Sequence, residues 1–380
     1  MWWGSGWVPV DLADFNSVGV RPSVCAEGST PSHSRHKSNL AKHYLCRSST
    51  VLYKTLGNTE IEVSEFALGC WPFAGGKVWG PQDDSLSIQT VHAALDNGIN
   101  FFDTAEGYDD DSHSEEVLGR ALLNRRSQSV IATKISPTHL IPESIEKTCD
   151  ESLQRLRTDY IDLYQIHWPN HSVSVEDSLD VLLRLRDAGK IRAIGVCNFG
   201  IQDLSDALDA SEIVTNQLPY NLLWRPIERE ILPKCLEHNV GLICYSPLAQ
   251  GLLAGRYASP DDVPDGLSRS RLFNGNRPLA THGEEGVEAE TFNAISEVVS
   301  LADEMGQHPA KISLAWVRSR PGITALLVGA RSPQELDLNI PAFDYSLPPS
   351  DVDRLSSITD LVKHKLGTNA DMWNADNRMR

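Results

Sequence analysis

Four side chains carry the chemistry this sequence offers: Asp103, Tyr108, Lys134 and His167. The stretch "INFFDTAEGYDDDSHSEEVLG" runs through apolar residues into Asp103, and Tyr108 follows closely. Taken alone, an acid at the end of an apolar run is an ordinary turn former or helix N-cap. Lys134 closes the run "VIATK" and His167 closes "YIDLYQIH" in the same way. Together these types have a use. A free phenol has a pKa of ~10 and is a weak acid at neutral pH. An ammonium beside it favours phenolate and is expected to lower that pKa. A carboxylate paired with the lysine holds the ammonium in place and keeps it charged. A neutral imidazole nearby can donate to a carbonyl oxygen. Such a set polarises a C=O and supplies its proton, with no nucleophile–base pair and no metal.

These residues converge only if the elements that carry them end side by side. From Val51 onward, short apolar runs alternate with helical patterns. The runs are "EFALGC" (65–70), "INFFDT" (99–104), "VIATK" (130–134), "YIDLYQIH" (160–167), "AIGVCN" (193–198), "IVTNQ" (213–217), "GLICYSP" (241–247) and "ALLVGA" (325–330). Near-continuous apolar runs suit parallel strands covered on both faces. Between them, 84–98 carries an apolar stripe and stops at Gly98, and 142–158 opens with Pro142 just inside a helix. Residues 174–190 and 227–239 repeat the helical spacing. Eight strands alternating with helices predict an α/β chain folded as a (β/α)8 TIM barrel, with long loops at its C-terminal face. "YKTLGNTEIEVS" predicts a β-hairpin before the barrel. A doubly wound sheet is the rival, but neither G-x-G-x-x-G nor G-x-x-x-x-G-K-[ST] occurs. In a barrel, chemistry sits at the C-terminal strand ends, where Asp103, Lys134 and His167 lie on three successive strands.

The chain has 380 residues, 41% of them apolar, and a formal net charge of −17. Residues 1–50 hold five Lys/Arg against three Asp/Glu, leaving −19 for the rest. A body this acidic disfavours nucleic acid as a partner. No run approaches the ~18 apolar residues of a membrane span. Seven scattered cysteines, with no C-x-x-C pair, fit a reducing compartment better than a disulfide framework. No metal is expected, since H-x-H, H-E-x-x-H and zinc spacings are missing, which leaves a metal-dependent barrel hydrolase a weak rival. Residues 1–50 stand apart, with three Trp in the first seven positions and a Ser-rich basic run. They read as a plastid-type targeting segment, a disordered extension or an unusual gene start. The chain accordingly divides into 1–50, a barrel over 51–365 and a tail over 366–380. The setting is cytoplasmic, or plastid if the first segment is a transit peptide.

At this point the sequence resembles the aldo-keto reductases. The resemblance covers roughly residues 51–365. It rests on "NFFDTAEGY", "IATK", "TDYIDLYQIHWP", "GKIRAIGVCNF", "YSPLAQGLLAGRY" and "LLVGARSPQELDLN", in that order. It is strongest to the branch that includes bacterial reductases and potassium-channel β subunits. The resemblance implies a (β/α)8 barrel, NADPH as the usual cofactor with NADH the lesser choice, and reduction of an aldehyde or ketone. It implies Tyr108 as general acid, Lys134 and Asp103 as the residues that tune it, and His167 as the one that orients the carbonyl. Asn198 and Gln217 would hold the nicotinamide carboxamide, and Tyr245 would stack on its ring. Ser246, Pro247, Leu248, Gly251 and Leu253 would approach the pyrophosphate. Gly329, Arg331, Gln334, Glu335 and Asn339 would lie at the adenosine end. Ser332 is a plausible helix N-cap with Pro333 after it, and Arg331 beside it could bind a 2′-phosphate.

Two positions depart from the family pattern. Cys197 stands where Ser is common before Asn198, and a thiol donates weaker hydrogen bonds. Glu335 stands where Gln is common, with Gln334 one place early, and a carboxylate is unhelpful beside a phosphate. Trp71, Phe73, Trp79 and Trp168 follow strands one and four and suggest an aromatic pocket wall or simple loop packing. The segment 258–286 reads as a loop closing over the cofactor or as a surface insertion. The expected partner is a small carbonyl compound. A cofactor-binding regulatory subunit with slow turnover, acting on a protein partner, is the alternative function.

Overall fold

The computed structural model describes residues 51–108 and 112–380, so the expectations for residues 1–50 lie outside it. Two short strands, β1 (Tyr53–Thr55) and β2 (Glu62–Ser64), pair antiparallel as the hairpin. Eight parallel strands then close into a barrel. They are β3 (Phe66–Gly69), β4 (Phe101–Asp103), β5 (Val130–Ile135), β6 (Ile161–Ile166), β7 (Ile191–Cys197), β8 (Thr215–Pro219), β9 (Gly241–Tyr245) and β10 (Ile323–Gly329), with β10 returning to β3. All eight strands coincide with the apolar runs of the sequence, within a few residues at each end. The fold is the predicted (β/α)8 barrel.

The helices are α1 (Gly76–Trp79), α2 (Asp84–Asp96), α3 (His113–Leu122), α4 (Pro142–Leu156), α5 (Val175–Asp187), α6 (Ile201–Ala210), α7 (Ile231–Glu237), α8 (Glu288–Glu304), α9 (Pro309–Arg318), α10 (Pro333–Asn339) and α11 (Pro349–Leu366). Their starts follow local chemistry. Asp83 accepts from Leu86 N at 3.0 Å to cap α2, and Ser174 accepts from Asp177 N at 3.2 Å to cap α5. Pro142 opens α4. The α8 and α11 helices pack on one another, outside the eight-fold alternation.

Strand parity divides the core in two. Ala67, Phe101, Ala132, Leu163, Ala193, Ile243 and Ala325 face the barrel axis, with Leu56, Ile61 and Val63 from the hairpin region packed among them. Their neighbours Leu68, Phe102, Ile131, Tyr164, Ile194 and Cys244 face the helices. Side chains alternate across a strand, so residues two beyond each inward residue also face the axis, nearer the C-terminal mouth. Among the described residues no helix is long and apolar enough to cross a membrane.

The α3 and α4 helices meet at Gly119. A Cβ there would lie 2.4 Å from the Arg155 carbonyl oxygen and 2.6 Å from the Leu156 carbonyl carbon. Alanine is favoured in a helix by ~1 kcal/mol, but overpacking against backbone costs ~1–3 kcal/mol. The clash wins, because no flexible side chain can give way. Gly119→Ala is therefore expected to lower stability by about 1–2 kcal/mol in urea denaturation. A raised midpoint would mean that α3 and α4 can part at no cost.

Candidate active site

Parity brings the predicted residues together. Asp103 lies two residues beyond Phe101, Lys134 two beyond Ala132, and Gln165 two beyond Leu163, with His167 two further on. Register aligns Asp103 with Ala132, and Lys134 with Gln165. The three strand-end groups thus share the interior of one mouth, and Tyr108 folds in from the loop after β4.

Lys134 is fully buried, and its ammonium makes three hydrogen bonds. Nζ donates to Asp103 Oδ1 at 2.7 Å, to the Thr104 carbonyl at 2.9 Å and to Tyr108 Oη at 2.8 Å. An ammonium has three donors, so each has one acceptor. The other carboxylate oxygen of Asp103 accepts from Gln217 Nε2 at 2.8 Å and Gln165 Nε2 at 3.4 Å. Because Lys134 donates into the phenol oxygen, the Tyr108 proton is left for another acceptor.

The electrostatics correct one expectation. Burial pushes the Tyr108 phenol above its usual range, and Lys134 only partly draws it back while Asp103 adds to the rise. The sequence led us to expect a net lowering. Desolvation outweighs the nearby ammonium, and the phenol stays protonated. Burial alone would lower Lys134, but the negative charge of Asp103 and the hydrogen bond to it lift it above its ordinary value. Burial, with the repulsion of Lys134, pushes His167 down to about 3. Its imidazole is neutral at physiological pH and able to donate from one nitrogen.

A cavity of about 490 Å³ opens at this mouth, lined by Asp103, Tyr108, His167, Cys197, Asn198, Gln217, Tyr245 and Gly329. Trp71, Trp79 and Trp168 line it too, and the Trp71 ring stacks on Tyr108 at 5.3 Å. Phe73 does not face the mouth as expected. It is fully buried in the outer core, because the 3-10 turn Trp71–Ala74 rolls it inward. Asn198 Nδ2 donates to the His167 carbonyl at 3.1 Å, and Asn198 Oδ1 accepts from Tyr245 Oη at 2.8 Å.

Ser246, Pro247, Leu248, Gly251, Leu253, Arg331, Gln334, Glu335 and Asn339 are not on this cavity's wall. After β9 the backbone takes positive φ at Ser246 (52°), Ala249 (49°), Gln250 (57°) and Gly251 (92°). Such conformations cost free energy at non-glycine residues and concentrate at functional sites. The buried Ser246 Oγ has no partner, as a hydroxyl awaiting a ligand would. Ser332 caps α10 by accepting from Glu335 N at 3.2 Å, and Glu335 Oε2 accepts from Arg331 N at 2.7 Å. The Arg331 guanidinium donates to Gln82 Oε1 at 2.8 Å and the Pro81 carbonyl at 2.7 Å. Asn339 Nδ2 donates to the Gly329 carbonyl at 3.3 Å. A nicotinamide dinucleotide fits this set: amide side chains and an aromatic in the cavity, an orphan hydroxyl beside it, and a cation beyond β10.

Sequence reasoning missed several residues. Gln165 was visible as a polar residue inside an apolar strand, on the same face as His167. The C-terminal tail gave no such signal, yet it reaches the mouth. Trp373 and Arg378 line the cavity. Arg378 pairs with buried Asp371 at 2.7 Å and lies 3.9 Å over Trp168. Arg380 N donates to Asp203 Oδ2 at 2.7 Å, and Asp203 N to the Arg380 carbonyl at 2.8 Å. Arg269, from the 258–286 segment, also faces the cavity.

The model of the Aldo/keto reductase family matches residues 65–360. The chain is 33% identical to the protein named aldo-keto reductase YhdN of Bacillus subtilis, over 81% of this chain and 93% of that protein. It is 30% identical to the NADH-specific methylglyoxal reductase of Escherichia coli, over 81% and 98%. A probable voltage-gated potassium channel subunit beta of Arabidopsis thaliana is 29% identical over 80% and 96%. Among solved structures, an aldo-keto reductase from Klebsiella pneumoniae in complex with NADPH aligns with a TM-score of 0.65 at 27% identity, over 81% of this chain and 95% of that one.

The buried pair makes a direct prediction. Lys134→Met leaves the Asp103 charge buried without its partner, which should cost about 3–5 kcal/mol. Adding Asp103→Asn removes that charge and should recover part of the loss, read as urea midpoints of the single and double variants. A Lys134→Met protein as stable as the parent would contradict the pairing.

Proposed function

The chain belongs to the aldo/keto reductase family, and from that premise we propose that it reduces an aldehyde or ketone to the alcohol with Tyr108 as the general acid. One observation carries the assignment. Two Lys134 donors are fixed on Asp103 and Thr104, and the third is aimed at the Tyr108 oxygen at 2.8 Å. The nicotinamide, when bound, supplies the hydride that makes the new C–H bond. His167, neutral, donates a hydrogen bond to the carbonyl oxygen and orients it. Tyr108 gives its proton to that oxygen as negative charge grows there. Lys134 stabilises the phenolate that remains, and Asp103 holds Lys134 in place. The aromatic wall keeps water from the reacting carbon.

Asn198 and Gln217 would hold the carboxamide, with Tyr245 against the ring and Cys197 beside them. Ser246, Leu248, Gly251 and Leu253 would take the pyrophosphate, and Gly329, Arg331, Gln334 and Asn339 the adenosine end. We favour NADPH over NADH because no carboxylate among the described residues pairs with the Arg331 guanidinium, which Gln82 and Pro81 hold in place. The Glu335 carboxylate accepts from the Arg331 backbone, so it sits on the loop rather than as a counter-ion to that guanidinium. One relative is named NADH-specific, so the preference belongs to the test. The buried free thiols Cys70, Cys149, Cys197, Cys235 and Cys244 support a reducing, cytoplasmic setting.

The likeness to a protein named as a channel β subunit supports a second reading, a cofactor-binding subunit that acts on a protein partner. Turnover separates the two. Purified protein assayed with aromatic and aliphatic aldehydes, with NADPH and NADH in parallel, should turn over at ~1 per second or faster and prefer NADPH. Tyr108→Phe should lower kcat by about 10²- to 10⁴-fold while NADPH affinity, read by fluorescence, holds. Unchanged turnover in that variant removes Tyr108 as the acid. Tight NADPH binding with almost no turnover of any aldehyde favours the second reading.

A further inference from the structure

We propose that Glu106 is a positioning residue for the proton donor: its carboxylate clasps the Tyr108 loop to the end of β5 and so fixes how far the phenol stands from the Lys134 ammonium. The inference rests on the reductase reading and adds a residue to it. Glu106 lies in the loop after β4, two residues before Tyr108, and its side chain is only 6% exposed. Its Oε1 accepts from Ser136 N at 2.6 Å and meets His139 Nδ1 at 2.9 Å. Ser136 follows Lys134 by two residues. Each end of the clasp is therefore two residues from one member of the Tyr108–Lys134 pair, whose Oη and Nζ stand 2.8 Å apart.

Between Thr104 and Tyr108 the other ties are longer or leave that distance free. Glu106 N reaches the Lys134 carbonyl at 3.4 Å, and Tyr108 N donates to the Ala105 carbonyl at 3.3 Å inside its own turn. The Trp71 ring stacks on the phenol at 5.3 Å, which fixes the face of the ring and lets it slide in its own plane. A carboxylate that accepts a backbone N–H makes a charge-assisted bond, roughly twice as strong as a neutral one. The Glu106 carbonyl also accepts from Ser112 Oγ at 2.6 Å, so one residue holds the loop on both sides of Tyr108.

Two other roles fit the geometry less well. Glu106 is not on the cavity wall, although Gly107, Tyr108, Ser136 and Thr138 are, so it does not touch a substrate. No Lys or Arg among the described residues pairs with it, unlike Glu115, which pairs with Arg155 at 2.7 Å. A buried carboxylate is costly unless its charge is answered. Here a loop amide and an imidazole answer it, both on the segment that follows Lys134.

The test is single-turnover reduction of 4-nitrobenzaldehyde by the full purified chain with NADPH. Glu106→Ala should lower the rate by about 10- to 100-fold, with the aldehyde KM and the NADPH Kd unchanged. Glu106→Gln, which keeps an acceptor for Ser136 N, should recover most of the rate. Glu106→Asp, which keeps the charge but is one methylene short, should not. In the Tyr108→Phe background Glu106→Ala should cost nothing further, because a residue that acts through the phenol then has nothing to position. A crystal structure of Glu106→Ala reads the geometry without turnover, and Tyr108 Oη should lie out of hydrogen-bond reach of Lys134 Nζ. Should Glu106→Ala fail to fold, the Gln and Asp variants decide, and a Gln variant no faster than the Asp variant overturns the proposal. So does an unchanged rate in Glu106→Ala, a loss carried by KM or by the NADPH Kd, or the same fold loss in the Tyr108→Phe background. A phenol that leaves the ammonium in Glu106→Ala, with no aldehyde reduced by the wild type, would sink the reductase reading and keep the clasp. Brisk wild-type reduction with an unchanged rate in Glu106→Ala would do the reverse.

Discussion

The buried ion pair between Lys134 and Asp103 is the constraint around which the barrel mouth is arranged. Both side chains are at most 1% exposed. Two charges removed from water are costly unless their remaining donors and acceptors are met. The Lys134 ammonium meets this with Thr104 and Tyr108, and Asp103 with Gln217 and Gln165. The network ties β4, β5, β6 and β8 at one level. Even an absent side chain serves it: a Cβ on Gly195 would press Thr215 Oγ1 at 2.4 Å and Gln165 Cγ at 3.0 Å. Below this level the axis is filled by Ala, Val, Ile, Leu and Phe, so the polarity is gathered at the end where chemistry belongs.

The pair also sets the balance on Tyr108. Burial keeps the phenol protonated, which is the form an acid must have. Lys134 pulls the other way, and Asp103 weakens that pull by adding negative charge nearby. The carboxylate therefore has two effects: it holds the lysine and slightly opposes it. The lysine's help is greatest when the proton leaves, because only then is there a phenolate for it to stabilise. That is a difference between ground and transition state, the kind that accelerates a step. His167 is placed beside the same ammonium and remains neutral, so it acts as a donor without carrying charge into the cavity.

Much of this was legible in the sequence for reasons of parity. A parallel strand covered on both faces shows as an apolar run, and its last inward residue is where polarity can return. Asp103, Lys134 and His167 are such residues, and the structure brings them to one mouth with Tyr108. Gln165 obeys the same rule. The net direction of the Tyr108 shift was not legible, because desolvation depends on walls such as Trp71, which comes from the turn after β3. Arg269 and the tail were not legible either. Both lie in irregular segments without periodicity, and only three-dimensional closure shows that Arg378 reaches Trp168 and that Arg269 lines the cavity.

Carbonyl reduction at this mouth needs a neutral imidazole and a protonated phenol acting together. The most direct test is the single-turnover rate of aldehyde reduction as a function of pH. With His167 pushed down to about 3 and Tyr108 raised, neither group titrates near neutrality. The rate should be flat from about pH 5 to about pH 8 and fall only in strong alkali. A bend near the ordinary histidine value of ~6.5 that disappears in His167→Asn would mean the imidazole changes charge during use, and would contradict the account.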